Sequence, residues 1–180
     1  MSSDRKRSLA LFPASFDPIT NGHLDLIQRA LTVFDEVVVA VAKNVGKTGT
    51  FSLQERLGLL DAVLEDLPGA RSEVFDGLMV EHAREIGATA VIRGLRAIAD
   101  FEYEFEMALM NKHLNPDIEI LFMMASQQYL YVSSSRLKEL VRFGVSVDEF
   151  VPPVVAKALR DKLGRGDAVS YTHLTLPTKA

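Results

Sequence analysis

The sequence predicts an α/β fold, a five-stranded parallel sheet with helices on both faces. Three observations carry this expectation. Five short apolar or β-branched runs recur along the chain, each followed by a longer stretch with helical spacing. The second run, VVVAVA at 37–42, is continuously apolar rather than alternating, as a strand covered on both faces must be. The chain has 180 residues, 48% hydrophobic and 24% charged, enough to bury a core without staples or metals. Such alternation implies right-handed crossovers, and it places any ligand at the carboxyl ends of the strands.

The elements follow in order. A basic opening, SSDRKRS, reads as a frayed N-terminus, because the apolar stretch after it is too short for a signal peptide and meets a proline at once. The first strand is expected near 9–12. After a turn-rich loop, Leu24, Ile27, Leu31 and Phe34 fall on one helical face. The second strand is 37–42. Ser52 with Glu55 three residues on has the spacing of a capping box, and Leu53, Leu57, Leu60 and Leu64 continue as a helix. Strands are expected near 72–75, 90–92 and 118–123. Between the last two, DFEYEFEMALMNKHL alternates like a strand, yet Phe101, Phe105, Leu109 and Lys112 obey helical spacing. A helix is predicted there, capped by Asp100, with Glu102 and Glu104 at the positive end of its dipole. The SSS before RLKEL opens another helix, and a last one runs over about 153–163, closed by Gly164 and Gly166. The remainder, 167–180, has no amphipathic period and reads as a tail, disordered or foreign to the native gene, beyond a single domain at 1–166.

Composition narrows the function. Cysteine is absent, which excludes a disulfide framework, thiolate metal sites and a cysteine nucleophile, and suits a cytoplasmic address. The longest apolar runs fall far short of the roughly 20 residues that cross a bilayer, so no membrane partner is expected. A net charge of −4 argues against nucleic acid. His82, His113 and His173 have no neighbours at metal-ligand spacing, so no protein-bound metal is expected. GKT at 46–48 suggests a P-loop, but the first glycine of that motif would fall at Val41.

The stretch LFPASFDPITNGHLDLI at 11–27 holds the most chemistry. A strand, a loop and then a helix starting at about Gly22 deliver free backbone N–H groups and a positive dipole end to an anion such as phosphate. Pro13 and Pro18 stiffen the loop, and Gly22 leaves room for a ligand at the helix start. His23 then lies in the first helical turn, either as a capping residue or as a donor to the anion. Farther on, IRGLR places two guanidiniums at a strand's carboxyl end, where phosphate ligands or salt bridges are expected for Arg93 and Arg96. Glu104 reads equally as a ligand contact or as a helix-end acid, and the serine triplet as an N-cap with its neighbours.

Taken together, SFDPITNGH at 15–23, VIRGLRAIADFEYE at 91–104 and YVSSSRLKEL at 131–140 are similar, in order and spacing over about 8–163, to the bacterial-type phosphopantetheine adenylyltransferases of the nucleotidyltransferase superfamily. Thr20-Asn21-Gly22-His23 matches the signature of that superfamily. Ala14 stands where the family usually has Gly, and Ser15 where Thr is common. The resemblance implies a Rossmann-like sheet of nucleotidyltransferase type. It also implies transfer of an adenylyl group from ATP to 4′-phosphopantetheine, giving dephospho-CoA and pyrophosphate, without a covalent enzyme intermediate. Magnesium would arrive with ATP, coenzyme A would act as feedback inhibitor, and the assembly would be a homohexamer.

Site residues carry over by the same resemblance. Ser15 and Phe16 would lie beside both ligands, and His23 would contact the α-phosphate and stabilise the transition state. Lys47 and Arg93 would hold the pantetheine phosphate, and Met79 would line the pantetheine arm. Gly94, Leu95, Arg96 and Glu104 match ATP contacts. Tyr129, Leu130, Tyr131, Val132, Ser133, Ser134 and Ser135 match the second ATP-binding segment. His23, Lys47 and Arg96 form the catalytic set. Rival readings on the residues are another adenylyl- or cytidylyltransferase, sharing His23 but differing at Lys47, Met79 and Arg93, and a nucleotide-binding protein without turnover.

Overall fold

The structure is a computed structural model that describes residues 7–43 and 49–164. Lys47, the GKT stretch, Gly166 and the tail lie outside the described residues, as does most of the basic opening. In chain order the elements are β1 (Leu9–Ala14), α1 (Asn21–Ala30), β2 (Glu36–Ala42), α2 (Leu53–Leu64), β3 (Ala70–Phe75), α3 (Met79–Glu85), β4 (Ala90–Leu95), α4 (Ile98–Leu114), β5 (Glu119–Met124), a 3₁₀ turn (Gln127–Tyr129), α5 (Ser134–Arg142) and α6 (Pro153–Leu163). The strands pair in parallel in the order β3-β2-β1-β4-β5. Chain order therefore reverses between β1 and β4, the point at which a doubly wound sheet opens a crevice.

Alternation along the strands builds two cores. Ala10, Phe12, Val37, Val39, Val41 and Ile92 face α1, α2, α5 and α6. Leu11, Val38, Ala40 and Val91 face the opposite way, toward Phe75, Ala83 and Ile118. Burial on both sides explains why 37–42 carries no polar residue. Side-chain caps set two helix starts as the spacing predicts. Ser52 accepts from the Glu55 amide at 3.2 Å, and the Glu55 carboxylate accepts from the Ser52 amide at 2.6 Å. Ser133 caps α5 by accepting from the Arg136 amide.

One expected cap is corrected. Helix α4 forms, but it starts at Ile98 behind Ala97, which makes no side-chain cap, and Asp100 lies inside the first turn. There the Asp100 carboxylate accepts from the Arg96 amide and from the Arg96 Nε, four residues back. Asp100 thus holds the residue that leads into the helix, backbone and side chain together, from inside the first turn rather than from the cap position. The α4 side chains also explain its ambiguous pattern: Ile98 is 83% exposed and Leu109 58%, so apolar residues are spread around the helix rather than gathered on a buried stripe.

Ser52→Ala removes one arm of a two-way cap, and an N-cap serine is worth about 1 kcal/mol. Urea unfolding should show a loss of that size with an unchanged m-value.

Candidate active site

The turn between β1 and α1 is held from three sides. Phe16 has a φ of 43°, in the left-handed region that a bulky residue occupies only when its surroundings compel it. Its ring is buried, edge-on to Phe12 at 5.7 Å and to His23 at 5.2 Å between centroids. Asp17 follows, and its carboxylate accepts from the Thr50 amide at 2.9 Å, the Phe51 amide at 2.7 Å and the Lys138 Nζ at 2.6 Å. Arg56 on α2 donates through Nη1 to the Ser15 carbonyl, and Ser134 on α5 donates to the Pro18 carbonyl. Burial alone would raise the Asp17 pKa, but the Lys138 hydrogen bond and the two amides outweigh it and hold the carboxyl below its ordinary value.

Thr20 caps α1, and His23 closes the box as the third helical residue. The Thr20 hydroxyl accepts from the His23 amide, while His23 Nδ1 takes the Thr20 amide at 3.1 Å. Accepting a backbone N–H requires Nδ1 to be unprotonated, which puts the ring proton on Nε2. Burial, followed by the charge of Arg96, pushes the His23 pKa down to about 4. At neutral pH the ring is therefore neutral and presents an N–H. Capping engages Nδ1 and leaves Nε2 for another partner, so the capping reading holds and is compatible with a ligand-facing one.

Two cavities meet above β1 and β4. One, of about 350 Å³, is walled by His23, Gly94, Arg96, Glu104 and the serines 133–135, with Tyr129 and Val132 beside them. The other, of about 460 Å³, is walled by Arg56, Met79, Lys138 and Asp17. Pro13, Ala14, Ser15, Arg93 and Ser135 line both. Arg93 sits inside β4 rather than after it, and forms a two-pronged pair with Glu104, Nε and Nη2 each 2.7 Å from a carboxylate oxygen. Its Nη1 donates to the Pro13 carbonyl, which leaves two of its five N–H groups without a partner among the described residues. Arg96 pairs with Asp100 and reaches the Val132 carbonyl.

Of the residues singled out in the sequence, Ser15, His23, Met79, Arg93, Gly94, Arg96, Glu104, Tyr129, Val132, Ser133, Ser134 and Ser135 come together here. Phe16 lines neither cavity and packs edge-on against the His23 ring from the core. Leu95, Leu130 and Tyr131 line neither cavity; Tyr131 instead borders a separate apolar hollow with Phe150. Gly22 lines the smaller cavity, and it has a second reason to be glycine: a Cβ there would lie 3.2 Å from the Cβ of Tyr129, so it also admits a neighbouring segment of the chain itself. Sequence reading missed Asp17, Arg56 and Lys138, whose partners lie 33 to 121 residues away. Among the described residues no group of three or more His, Cys, Asp or Glu is placed to hold a metal ion.

A parallel sheet whose reversal point carries a helix-start histidine and arginine-lined cavities defines the nucleotidyltransferase class, and the cytidylyltransferase-like family model matches residues 11–140. A solved structure from Vibrio parahaemolyticus described as a nicotinate-nucleotide adenylyltransferase shares the fold, with a TM-score of 0.64 at 17% identity over 91% of this chain and 98% of that one. Proteins named phosphopantetheine adenylyltransferase are far nearer in sequence: that of Desulforudis audaxviator is 54% identical over 88% of this chain and 98% of its own length. That of Staphylococcus carnosus is 48% identical over the same shares. The chain belongs to the phosphopantetheine adenylyltransferase family.

The Asp17 pair yields a pH-dependent prediction. A carboxyl held below its unfolded value contributes stability above the unfolded pKa of about 4 and loses it as the pH falls through the folded value. Asp17→Asn leaves Lys138 without its counter-charge and should lower stability at pH 7 by about 3 kcal/mol. Urea titrations of both proteins should show the gap narrowing below about pH 4. A gap independent of pH would mean that the carboxylate charge is not what matters.

Proposed function

We propose that the protein transfers the adenylyl group of ATP to 4′-phosphopantetheine, releasing pyrophosphate and dephospho-CoA. The observation that supports this reading best is the shared wall: two cavities of ligand size meet at Ser15 and Arg93, beside the start of α1, so an acceptor phosphate and a nucleotide α-phosphate can be held face to face. An oxygen of the acceptor phosphate attacks the α-phosphorus in line. The bond from that phosphorus to the bridging oxygen breaks, and pyrophosphate leaves with the electron pair. The attacking oxygen is already anionic, so no serine, cysteine or general base is required.

The residues then have distinct tasks. His23 presents its Nε2–H to a nonbridging α-phosphate oxygen, a donor fixed by the Thr20 cap and needing no reorganisation as charge shifts. Arg96 adds positive charge on the nucleotide side, and Glu104 and the 133–135 serines border the same cavity. Ser15 and the two free N–H groups of Arg93 address the acceptor phosphate, Lys47 joins them by sequence resemblance alone, and Met79 contributes apolar wall for the pantetheine arm. Magnesium would come with ATP, where it would supply positive charge to the nucleotide phosphates, with no group of protein residues required to hold it. Coenzyme A, built from both ligands' parts, fits as a competing inhibitor. No helix among the described residues is long and apolar enough to cross a membrane, and a cytoplasmic enzyme of small-molecule substrates accords with that.

Assembly follows from α4 and the edge strand beside it. Phe101, Phe105, Leu109, Met110, Leu121 and Met124 are each at least 40% exposed, more contiguous apolar surface than a small monomer leaves open. A homohexamer that buries this face is the proposed state. Light scattering at micromolar concentration should return a hexamer mass, and a monomer would refute it.

Activity is tested by incubating the protein with ATP and 4′-phosphopantetheine and measuring pyrophosphate and dephospho-CoA, with nicotinate mononucleotide and CTP as comparison substrates. His23→Ala should lower kcat by roughly 10²–10³-fold, the effect of losing one preorganised donor of about 2.7–4 kcal/mol, with ATP affinity by calorimetry little changed. A folded variant with near-native kcat would leave His23 a capping residue only.

A further inference from the structure

The charges around the larger cavity do not balance. Lys138 is neutralised by Asp17, and Arg93 by Glu104. Arg56, projecting from α2 into the same cavity, has no carboxylate partner among the described residues. Among the described residues its one hydrogen bond is Nη1 to the Ser15 carbonyl at 3.0 Å, and its buried Nε has no partner there. A half-buried guanidinium with N–H groups left over is disfavoured in an empty site and favoured by an anion. Of the charged side chains among the described residues lining this cavity, Arg56 is therefore the one without a carboxylate partner, and it already grips the backbone of Ser15, which borders both cavities.

From this geometry we infer that Arg56 is a binding residue for the phosphate of the acceptor substrate: its free guanidinium edge meets the phosphate oxygens while Nη1 keeps the Ser15 carbonyl in place. The inference rests on the proposed adenylyl transfer to a phosphorylated pantetheine. Arginine suits the task because its planar fork matches phosphate oxygens and its charge persists at any working pH. The apolar stretch of the same cavity, at Met79 and Phe75, would take the uncharged arm.

The test separates charge recognition from mere support of the turn. Calorimetry on wild type and Arg56→Gln uses three ligands: 4′-phosphopantetheine, pantetheine lacking the phosphate, and ATP. In the variant, affinity for 4′-phosphopantetheine should fall about 10- to 100-fold, while pantetheine and ATP stay within about twofold. The acceptor KM should rise in parallel and kcat should change less. Equal losses on all three ligands would make Arg56 only a prop for Ser15, and no loss on any would remove it from the site; either result overturns the inference. If Arg56→Gln lacks a cooperative melt, Arg56→Lys serves instead. It keeps the charge without the fork and should show a smaller loss, again confined to the phosphorylated ligand, and an unchanged preference would overturn the assignment. Wild type that forms no dephospho-CoA would overturn the parent function, whereas active wild type with an indifferent variant would overturn Arg56 alone.

Discussion

The crevice depends on one buried carboxylate. Asp17 gathers two amides from the start of α2 and the ammonium of α5 onto a single group, and so joins three segments that the sheet by itself would leave apart. Around it the chain holds Phe16 in a left-handed conformation with its ring in the core. That conformation is unfavourable for a phenylalanine taken alone, and it persists because Asp17 on one side and the Arg56 contact to Ser15 on the other fix the flanking residues. The reward is placement. Ser15 is turned toward both cavities, and the Phe16 ring lies edge-on against the imidazole of His23.

Electrostatics at the helix start follow from that placement. A histidine near phosphates might be thought most useful as a cation, yet here burial and Arg96 both disfavour the charged ring. Positive charge around this helix start comes instead from arginines, which stay protonated at any working pH, while the neutral imidazole presents a directed N–H. Because Nδ1 is occupied by the Thr20 amide, the ring cannot flip without losing a hydrogen bond at the helix cap. Orientation and tautomer are thus set by the same backbone contact that starts α1.

The two faces of the sheet are finished to different degrees. One side is closed by α1, α2, α5 and α6 over a large core, while α4 contributes few buried side chains and leaves aromatic and methionine residues outside. The pairs Arg93–Glu104 and Arg96–Asp100 tie this open helix back to the crevice. Helix α4 is thereby fastened to residues lining the nucleotide-side cavity while its apolar side chains stay exposed.

What the sequence determined by itself is what local chemistry encodes. The strand run at 37–42, the Ser52–Glu55 box, the serine cap of α5 and the helix-start position of His23 each depend on residues within a few positions of one another, so composition and spacing suffice to place them. Similarity of three motifs to a known family supplied the identity of most crevice residues. Tertiary structure alone decided the rest. Helix α4 starts at Ile98, with Asp100 inside the first turn and bonded to Arg96, and Gly22 makes room for Tyr129 as well as lining the cavity. Asp17, Arg56 and Lys138 carry no local signal along the chain that marks them for the crevice. Only folding brings together groups as far as 121 residues apart, and a carboxylate's partners, like a guanidinium's lack of them, are properties of three-dimensional neighbours that no local pattern records.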